Sequence, residues 1–251
     1  MSKKRGMFKA MDSIKINEKK SQKPITESAP TGSEKQYERI QNIGSVITSS
    51  KKGKIYCLTI IGQIEGHTYL PEENKTTKYE HVIPELVAIE EDPEIEGLLL
   101  LLNTVGGDIE AGLAIAELIS GMSKPSVSMV IGGGHSIGVP RAVCTNESFI
   151  ARSATMTVHP VRSDGMIVGV RQSFEYFKKM QQRIANFVVA NSKISEKRFY
   201  ELCMNTQELA LDVGSVVEGE EAVKEGIIDN VGTLSEAISC LYSHIKKRKK
   251  K

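Results

Sequence analysis

Five consecutive leucines, Leu98–Leu102, lie between two turn-forming residues, Gly97 and Asn103. An unbroken apolar run that is bounded by turn residues predicts a strand buried on both faces, as in a parallel sheet. Strand-like and helix-like segments alternate along the chain on both sides of this run. The alternation predicts an α/β fold with a mostly parallel sheet, in which sites form beyond the carboxyl ends of the strands.

The hydrophobic patterns also locate the other elements. Strands are predicted at 54–61, 127–131, 148–151, 156–159 and 227–231. Helices are predicted at 79–91, 109–121, 174–191, 195–204, 218–225 and 234–245, with a short one that begins near 138 and passes through 144. The polar segment 66–78 is predicted to be a loop.

The formal net charge of the 251-residue chain is only +2, but the charge is unevenly distributed. Residues 1–36 contain nine Lys or Arg, four Asp or Glu and few large apolar residues, which predicts a disordered basic arm. Residues 246–251 are all Lys or Arg and are predicted to form a basic tail. The segment 37–245 is therefore acidic, and it is predicted to be the folded domain.

The composition argues against several classes of protein. No apolar run approaches 18 residues and none follows the basic N-terminus, so neither a transmembrane helix nor a secretory signal is expected, and a cytoplasmic protein is predicted. Trp is absent and aromatic residues are only 5%, which argues against binding of nucleic acid by stacking. The cysteines are far apart and no histidine has metal-ligand spacing with another, so free thiols are predicted, with no metal and no cofactor.

The segment Gly134–Gly138 places Ser136 between small residues at a strand-to-helix turn. Glycines allow the sharp bend that exposes a nucleophilic serine, and the following N–H of Ile137 could bind an oxyanion at the helix N-terminus. The alternative is that Ser136 is an ordinary N-cap residue. The pattern alone leaves both interpretations open.

His159 and the pair Gly106–Gly107 are the other candidates for a catalytic site. His159 ends a predicted short strand and could act as a general base, or it could be a half-buried histidine with a satisfied hydrogen bond. The paired glycines follow a buried strand and would let the backbone approach a ligand closely, or they could form a tight structural turn. The known phosphate-binding glycine motifs are absent from the sequence.

Four segments in series resemble motifs of the Clp protease proteolytic subunit family, which are serine peptidases of the crotonase-like fold. They are residues 102–112, 134–138, 156–160 and 221–229. The resemblance implies a spiral of ββα units with a mostly parallel sheet, and a handle made by 161–173 and the helix at 174–191, with a strand at 165–169. The long loop at 66–78 and the extra ends resemble the translocation-enhancing branch of this family, which implies a role in protein secretion.

The resemblance also implies roles for individual residues. By position, Ser136 is the nucleophile and His159 is the general base. The N–H groups of Gly107 and Ile137 are the oxyanion donors. The implied reaction is hydrolysis of a peptide bond, in which His159 takes the proton of Ser136 and later donates it to the leaving amine.

Substrate and partners follow from the same resemblance. A peptide or unfolded protein would add as a strand beside Gly106, Asp108 and Ile109. The family implies a homo-oligomer, as a heptameric ring or a double ring, and an ATP-driven AAA+ unfoldase as partner.

The third member of the catalytic triad does not follow the family pattern. Counting back without gaps from the segment at 221, the family aspartate falls on Gly214. Asp212 is the nearest carboxylate and is taken as the third member, with Asp164 as the fallback. If Asp212 does not reach His159, activity would be low or lost. The alternative function is therefore a catalytically inactive scaffold or adaptor.

The six basic residues 246–251 have two interpretations. They could be a solvated tail that keeps the protein soluble. They could also attract the protein to the surface of an anionic membrane, at about 1 kcal/mol per basic residue near the lipid.

Overall fold

A mostly parallel β-sheet forms the centre of the computed structural model, which describes residues 36–37, 39–41, 44–162, 169–207 and 213–250. The nine strands in this part of the chain are β1 (Ser45–Ser50), β2 (Gly53–Glu65), β3 (Thr76–Lys78), β4 (Gly97–Gly107), β5 (Ser126–Gly134), β6 (Glu147–Ile150), β7 (Thr155–Val158), β8 (Ser215–Glu218) and β9 (Asn230–Val231). The α/β class and the mostly parallel sheet predicted from the sequence are confirmed.

Helices follow the strands in most of the connections. They are α1 (Tyr79–Glu91), α2 (Ile109–Ser120), α3 (Gly138–Val143), α4 (Val170–Ala190), α5 (Glu196–Cys203), α6 (Gly219–Lys224) and α7 (Leu234–Arg248). None of the helices among the described residues is long and apolar enough to cross a membrane.

The main sheet has the strand order β1–β2–β4–β5–β6–β9, and all its neighbours are parallel except the antiparallel edge pair β1–β2. Strand β3 pairs with the end of β2. Strand β7 leaves the main sheet, touches β5 through Gly133 and Thr155, and pairs antiparallel with β8.

The leucine run is buried on both faces of the sheet, as the sequence predicts. Leu98, Leu100 and Leu102 belong to the larger apolar cluster beneath α1–α3, whereas Leu99 belongs to a second cluster on the opposite face. Helix α7 covers that second face, and it buries Ala237, Leu241 and Ile245 at a spacing of four residues. Alternate side chains of a strand point to opposite faces, so one strand contributes to both clusters.

The carboxyl ends of β4 and β5 meet at one edge of the sheet and position the candidate site. Thr104 pairs with Gly134, and the N–H of His135 donates to the carbonyl of Thr104 over 3.1 Å. The two glycine segments that end these strands are therefore neighbours. This is the location that a parallel sheet favours for a site.

Several boundaries differ from the sequence prediction. Strands β1 and β8 were not predicted, and β3 lies at the end of the segment predicted as a loop. The segment 104–107 continues β4 as a strand and is not a free turn. The predicted strand at 227–231 is reduced to Asn230–Val231, because the N–H groups of Ile227 and Ile228 bond back to the end of α6.

Most of the basic C-terminal end lies within the described residues, whereas nearly all of the basic N-terminal end does not. Residues 1–35 of the predicted arm lie outside the described residues, as does the predicted strand at 165–169 apart from its last residue. At the other end α7 continues to Arg248, so Lys246, Lys247 and Arg248 form its last helical turn. Cations in the last turn interact favourably with the helix dipole, which is a physical reason for the extension.

Candidate active site

Ser136 lies between β5 and α3 in a backbone conformation that is unusual for its residue type. Its φ angle is 57°, and no other non-glycine residue in the described part of the chain has a positive φ. Its N–H donates to the carbonyl of Thr157 over 2.8 Å, and its own carbonyl accepts from the N–H of Val139. A non-glycine residue in this region costs about 1–3 kcal/mol and persists where its surroundings fix it, often at functional sites.

His159 follows β7 directly and lines the same cavity as Ser136. The cavity has a volume of about 170 Å³. It is lined by Gly107, Ile109, Ser136, Ile137, Val139, Val158, His159, Pro160, Val161, Arg162, Ile184 and Phe199. The structure thus brings together five residues that the sequence singled out: Gly107, Ile109, Ser136, Ile137 and His159.

The imidazole of His159 is in a setting that favours the neutral form. Burial lowers its pKa, and the positive charge of Arg162 lowers it further, although a hydrogen bond to the backbone of Pro160 opposes these effects. Nδ1 lies 2.7 Å from the carbonyl oxygen of Pro160. Because a carbonyl only accepts, we assign the hydrogen to Nδ1, which leaves the lone pair on Nε2 for a proton from a substrate or nucleophile.

The two glycines at the end of β4 approach the serine and its neighbours closely. Gly106 has φ of 95°, and a Cβ there would lie 2.7 Å from the Cβ of Ser136. Gly107 has φ of 145°, and a Cβ there would lie 2.2 Å from the carbonyl oxygen of Ile64. Both positions therefore need glycine for conformation and for space. Gly107 and Ile137 both line the cavity that Ser136 lines.

The residues expected to bind a substrate strand have different surroundings. Ile109 lines the cavity, and Gly106 contacts Ser136. Asp108 is the N-cap of α2, since its carboxylate accepts from the N–H of Ala111 over 2.8 Å. The side chain of Asp108 thus has a structural role in addition to any contact that its backbone makes.

The structure describes Gly214, on which an ungapped count puts the family aspartate, but not the carboxylates proposed as the third member of the triad. Asp212 and Asp164 lie outside the described residues. Strands β7 and β8 pair with Val158 opposite Ser215, which places Gly214 against His159. A Cβ at Gly214 would lie 2.7 Å from the Cβ of His159. The position reached by counting without gaps is therefore beside the histidine, and it holds a glycine.

His135 is part of the same turn and contacts the neighbouring strand. Its Nδ1 lies 2.8 Å from the hydroxyl oxygen of Thr157. Burial lowers its pKa, and the proximity of His159 lowers it further. His135 thus joins the serine turn to the strand that carries His159.

The other seven residues that line the cavity, and one buried cation, were not predicted from the sequence as parts of the site. Ile184 of α4 and Phe199 of α5 close the cavity together with Val139. Helical spacing marked Ile184 as apolar, but it could not show which cavity it faces. Arg141 of α3 is fully buried, and burial lowers its pKa to about 9. Among the described residues its guanidinium nitrogens have no hydrogen-bond partner.

Comparison with known proteins agrees with the motifs and the fold. The family model described as Clp protease matches residues 51–235. The translocation-enhancing protein TepA of Halalkalibacterium halodurans is 53% identical over 226 residues, which cover 90% of this chain and 87% of that protein. The matched region contains Ser136, His159 and Gly107, which line one cavity, and Gly106 beside the serine. The chain belongs to the Clp protease family.

Proposed function

We propose that this protein is a serine endopeptidase in which Ser136 is the nucleophile and His159 is the general base. The observation that carries the proposal is the shared cavity, in which the serine turn with positive φ and a half-buried histidine lie together. Gly107 and Ile137 line the same cavity, and their N–H groups are the proposed oxyanion donors. These are the parts that acyl transfer to a serine needs.

In the proposed reaction Nε2 of His159 takes the hydroxyl proton as Oγ of Ser136 attacks the peptide carbonyl. The N–H groups of Gly107 and Ile137 stabilise the negative charge that develops on the carbonyl oxygen. The protonated His159 then gives its proton to the leaving amine, and the acyl group stays on Ser136. Water, deprotonated by the same imidazole, releases the acyl group and restores the serine.

We propose that the carbonyl of Pro160 orients the imidazole of His159. We also propose Asp212 as the third member of the triad. The carbonyl of Pro160 holds the proton on Nδ1 without a carboxylate. A carbonyl stabilises the imidazolium less than a charged carboxylate would, so we expect a slow peptidase if Asp212 does not contribute. The glycine at 214 favours a second candidate function, a scaffold that keeps the fold without turnover.

A fluorophosphonate probe distinguishes these two functions. We expect wild type to be labelled at Ser136, and Ser136→Ala to remain unlabelled. His159→Ala should slow labelling by about 10²–10⁴-fold, because it removes the general base. If wild type is labelled no faster than Ser136→Ala, the peptidase proposal is wrong and the scaffold stands.

We also propose that the protein assembles into a ring, as a heptamer or a double ring, and receives unfolded substrate from an ATP-driven unfoldase. The start of α4 supports a contact between subunits, since Val170, Phe174 and Tyr176 are more than half exposed. Sedimentation at micromolar concentration should find an oligomer, and Phe174→Glu should dissociate it. A monomeric wild type would contradict the ring.

A peripheral contact with anionic membranes near the secretion machinery is the last part of the proposal, for a protein that otherwise stays in the cytoplasm. Lys246 and Lys247 lie in the last turn of α7, and Lys249 is paired with Glu96 over 2.6 Å. We expect the chain to sediment with phosphatidylserine vesicles, and Lys246→Gln with Lys247→Gln to release it without disturbing Ile245. Equal sedimentation of the variant would contradict the contact.

A further inference from the structure

Three side chains with metal-binding atoms come together on the face of the sheet that α7 covers. Cys240 and His244 are one helical turn apart on α7, so both face the same way. Glu147 begins β6, beneath that turn. All three are half-buried, and their ligand atoms lie within 4.8 Å of one another. The sequence prediction compared cysteines only with cysteines and histidines only with histidines, so it missed the four-residue spacing of Cys240 and His244 on one helix.

The two distances from Glu147 to the other ligand atoms are near those of a tetrahedral metal site. Oε2 of Glu147 lies 3.2 Å from Sγ of Cys240 and 3.0 Å from Nε2 of His244. In a tetrahedral zinc site the bond lengths place the oxygen about 3.6 Å from the sulfur and about 3.4 Å from the nitrogen. For these two pairs the required change is a few tenths of an ångström. The sulfur and the nitrogen lie within 4.8 Å of each other, against about 3.6 Å in such a site, and side-chain rotations would bring them to that distance.

A fourth residue fixes the orientation of the glutamate. Asn230 donates from Nδ2 to Oε1 of Glu147 over 2.9 Å, and β9, which carries Asn230, pairs with β6. This bond occupies one carboxylate oxygen and leaves Oε2 facing the cysteine and the histidine. Outer-shell partners of this kind orient the ligands in known metal sites.

We propose that Glu147, Cys240 and His244 bind a divalent transition-metal ion of the zinc class and thereby tie α7 to β6. A thiolate and an imidazole select zinc-class ions over magnesium and calcium, which prefer oxygen ligands. The partial exposure of the three side chains leaves a fourth position for water. Binding removes the proton of the Cys240 thiol to solvent, and the sulfur-to-metal bond replaces the hydrogen bond to Glu147.

The site lies on a different face of the molecule from the serine cavity, so it does not depend on peptidase activity. A bound metal would stabilise the packing of α7 against the sheet, where Ala237, Leu241 and Ile245 belong to the second apolar cluster. A metal bound across the helix and the strand would hold that helix in place, since it stabilises the folded state by mass action.

Cobalt is the probe for this site, because a thiolate bound to Co²⁺ gives a charge-transfer absorption in the near ultraviolet. The untagged full-length chain is stripped with a chelator and titrated with Co²⁺ and then Zn²⁺. We expect one equivalent of Co²⁺ per chain with the thiolate band, and loss of the band as Zn²⁺ displaces it. We also expect Zn²⁺ to raise the Tm of the stripped protein.

The variants identify the ligands. Cys240→Ala and His244→Gln should each weaken Zn²⁺ binding by at least about 100-fold, and Asn230→Ala by about 10–100-fold. Cys57→Ala is the matched control, since Cys57 is also half-buried and free but lies outside the cluster. It should keep the cobalt band and the shift in Tm. Absence of the band in wild type, or binding that survives both Cys240→Ala and His244→Gln, would overturn the proposal.

Discussion

Gly214 lies directly against His159, so that a Cβ at position 214 would be 2.7 Å from the Cβ of the histidine. It would also be 2.6 Å from the carbonyl oxygen of Val158. This position is where an ungapped comparison puts the family aspartate, and it has no room for any side chain. Whatever orients His159, a carboxylate at 214 does not, and the carbonyl of Pro160 is the partner within the described residues that the geometry provides.

The Gly214→Ala variant should therefore be both less stable and less reactive. Its φ of 132° is strained for alanine, and the new methyl group would push on His159. We expect a loss of about 1–3 kcal/mol in the free energy of unfolding, measured with urea, and slower fluorophosphonate labelling. Gly121→Ala is the matched control, because Gly121 has φ of −83° and ends α2 without strain. Equal stability of the two variants would contradict the crowding at 214.

The rate of fluorophosphonate labelling should depend on the protonation of His159. The imidazole must be neutral to accept the proton of Ser136, so the rate is present above its pKa and is lost as the pH falls through it. Burial and then the charge of Arg162 lower that pKa below its ordinary value of 6.5. We expect the midpoint of the rate profile below 6.5 and a plateau at neutral pH.

The variant Arg162→Gln tests the cause of this shift. Removing the cation should raise the pKa of His159 and move the midpoint of the profile to higher pH. Arg152→Gln is the control, since Arg152 is exposed and paired with Glu220. A midpoint above 6.5 in wild type, or equal movement in both variants, would contradict the assignment.

The fold could be predicted where the hydrophobic pattern has a single explanation. Helix α1 has the predicted bounds, because Val82, Leu86 and Ile89 repeat at helical spacing and are buried. The leucine run has no polar face, so it could only be a strand within a covered sheet. Strand β1 was missed because its residues are mostly polar and half of them are exposed, as is usual at an edge.

The sequence could predict those parts of the site that lie in short motifs, but not contacts between segments that are distant along the chain. Motifs located the serine turn, His159 and the paired glycines, and the structure brings Ser136, His159 and Gly107 into one cavity. Contacts between distant segments could not be read from one sequence, such as Glu147 with a cysteine and a histidine on α7. The burial of Arg141 was also missed, since an arginine in a helix is ordinarily expected at the surface.

Backbone strain at Ser136 should appear as a difference in the free energy of unfolding between two variants, both of which lack the labelled hydroxyl. Ser136→Gly removes the cost of the positive φ, whereas Ser136→Ala retains it. We expect the glycine variant to be more stable than the alanine variant by about 1 kcal/mol in urea unfolding, after the entropy cost of glycine is subtracted. An alanine variant that equals or exceeds the glycine variant would show that the serine turn is not strained.

The buried cation of Arg141 is expected to lower the stability of the folded protein. Its guanidinium lacks hydrogen-bond partners among the described residues, and the charge of Asp108 offsets only part of the cost of burial. Arg141→Met should raise the free energy of unfolding at neutral pH by about 1–4 kcal/mol.

A second buried cation provides the matched control for this experiment. Lys124 is also buried, but its Nζ donates to the carbonyl oxygens of Ile89 and Asp92. Lys124→Met removes this donor from both oxygens, although the carbonyl of Asp92 still accepts from the N–H of Ile95. The variant should therefore lower the free energy of unfolding by about 1–3 kcal/mol. Opposite signs for the two methionine variants would establish that the missing partners, and not burial of a cation as such, destabilise the wild type. If Arg141→Met is also destabilising, the guanidinium has an interaction that compensates its burial.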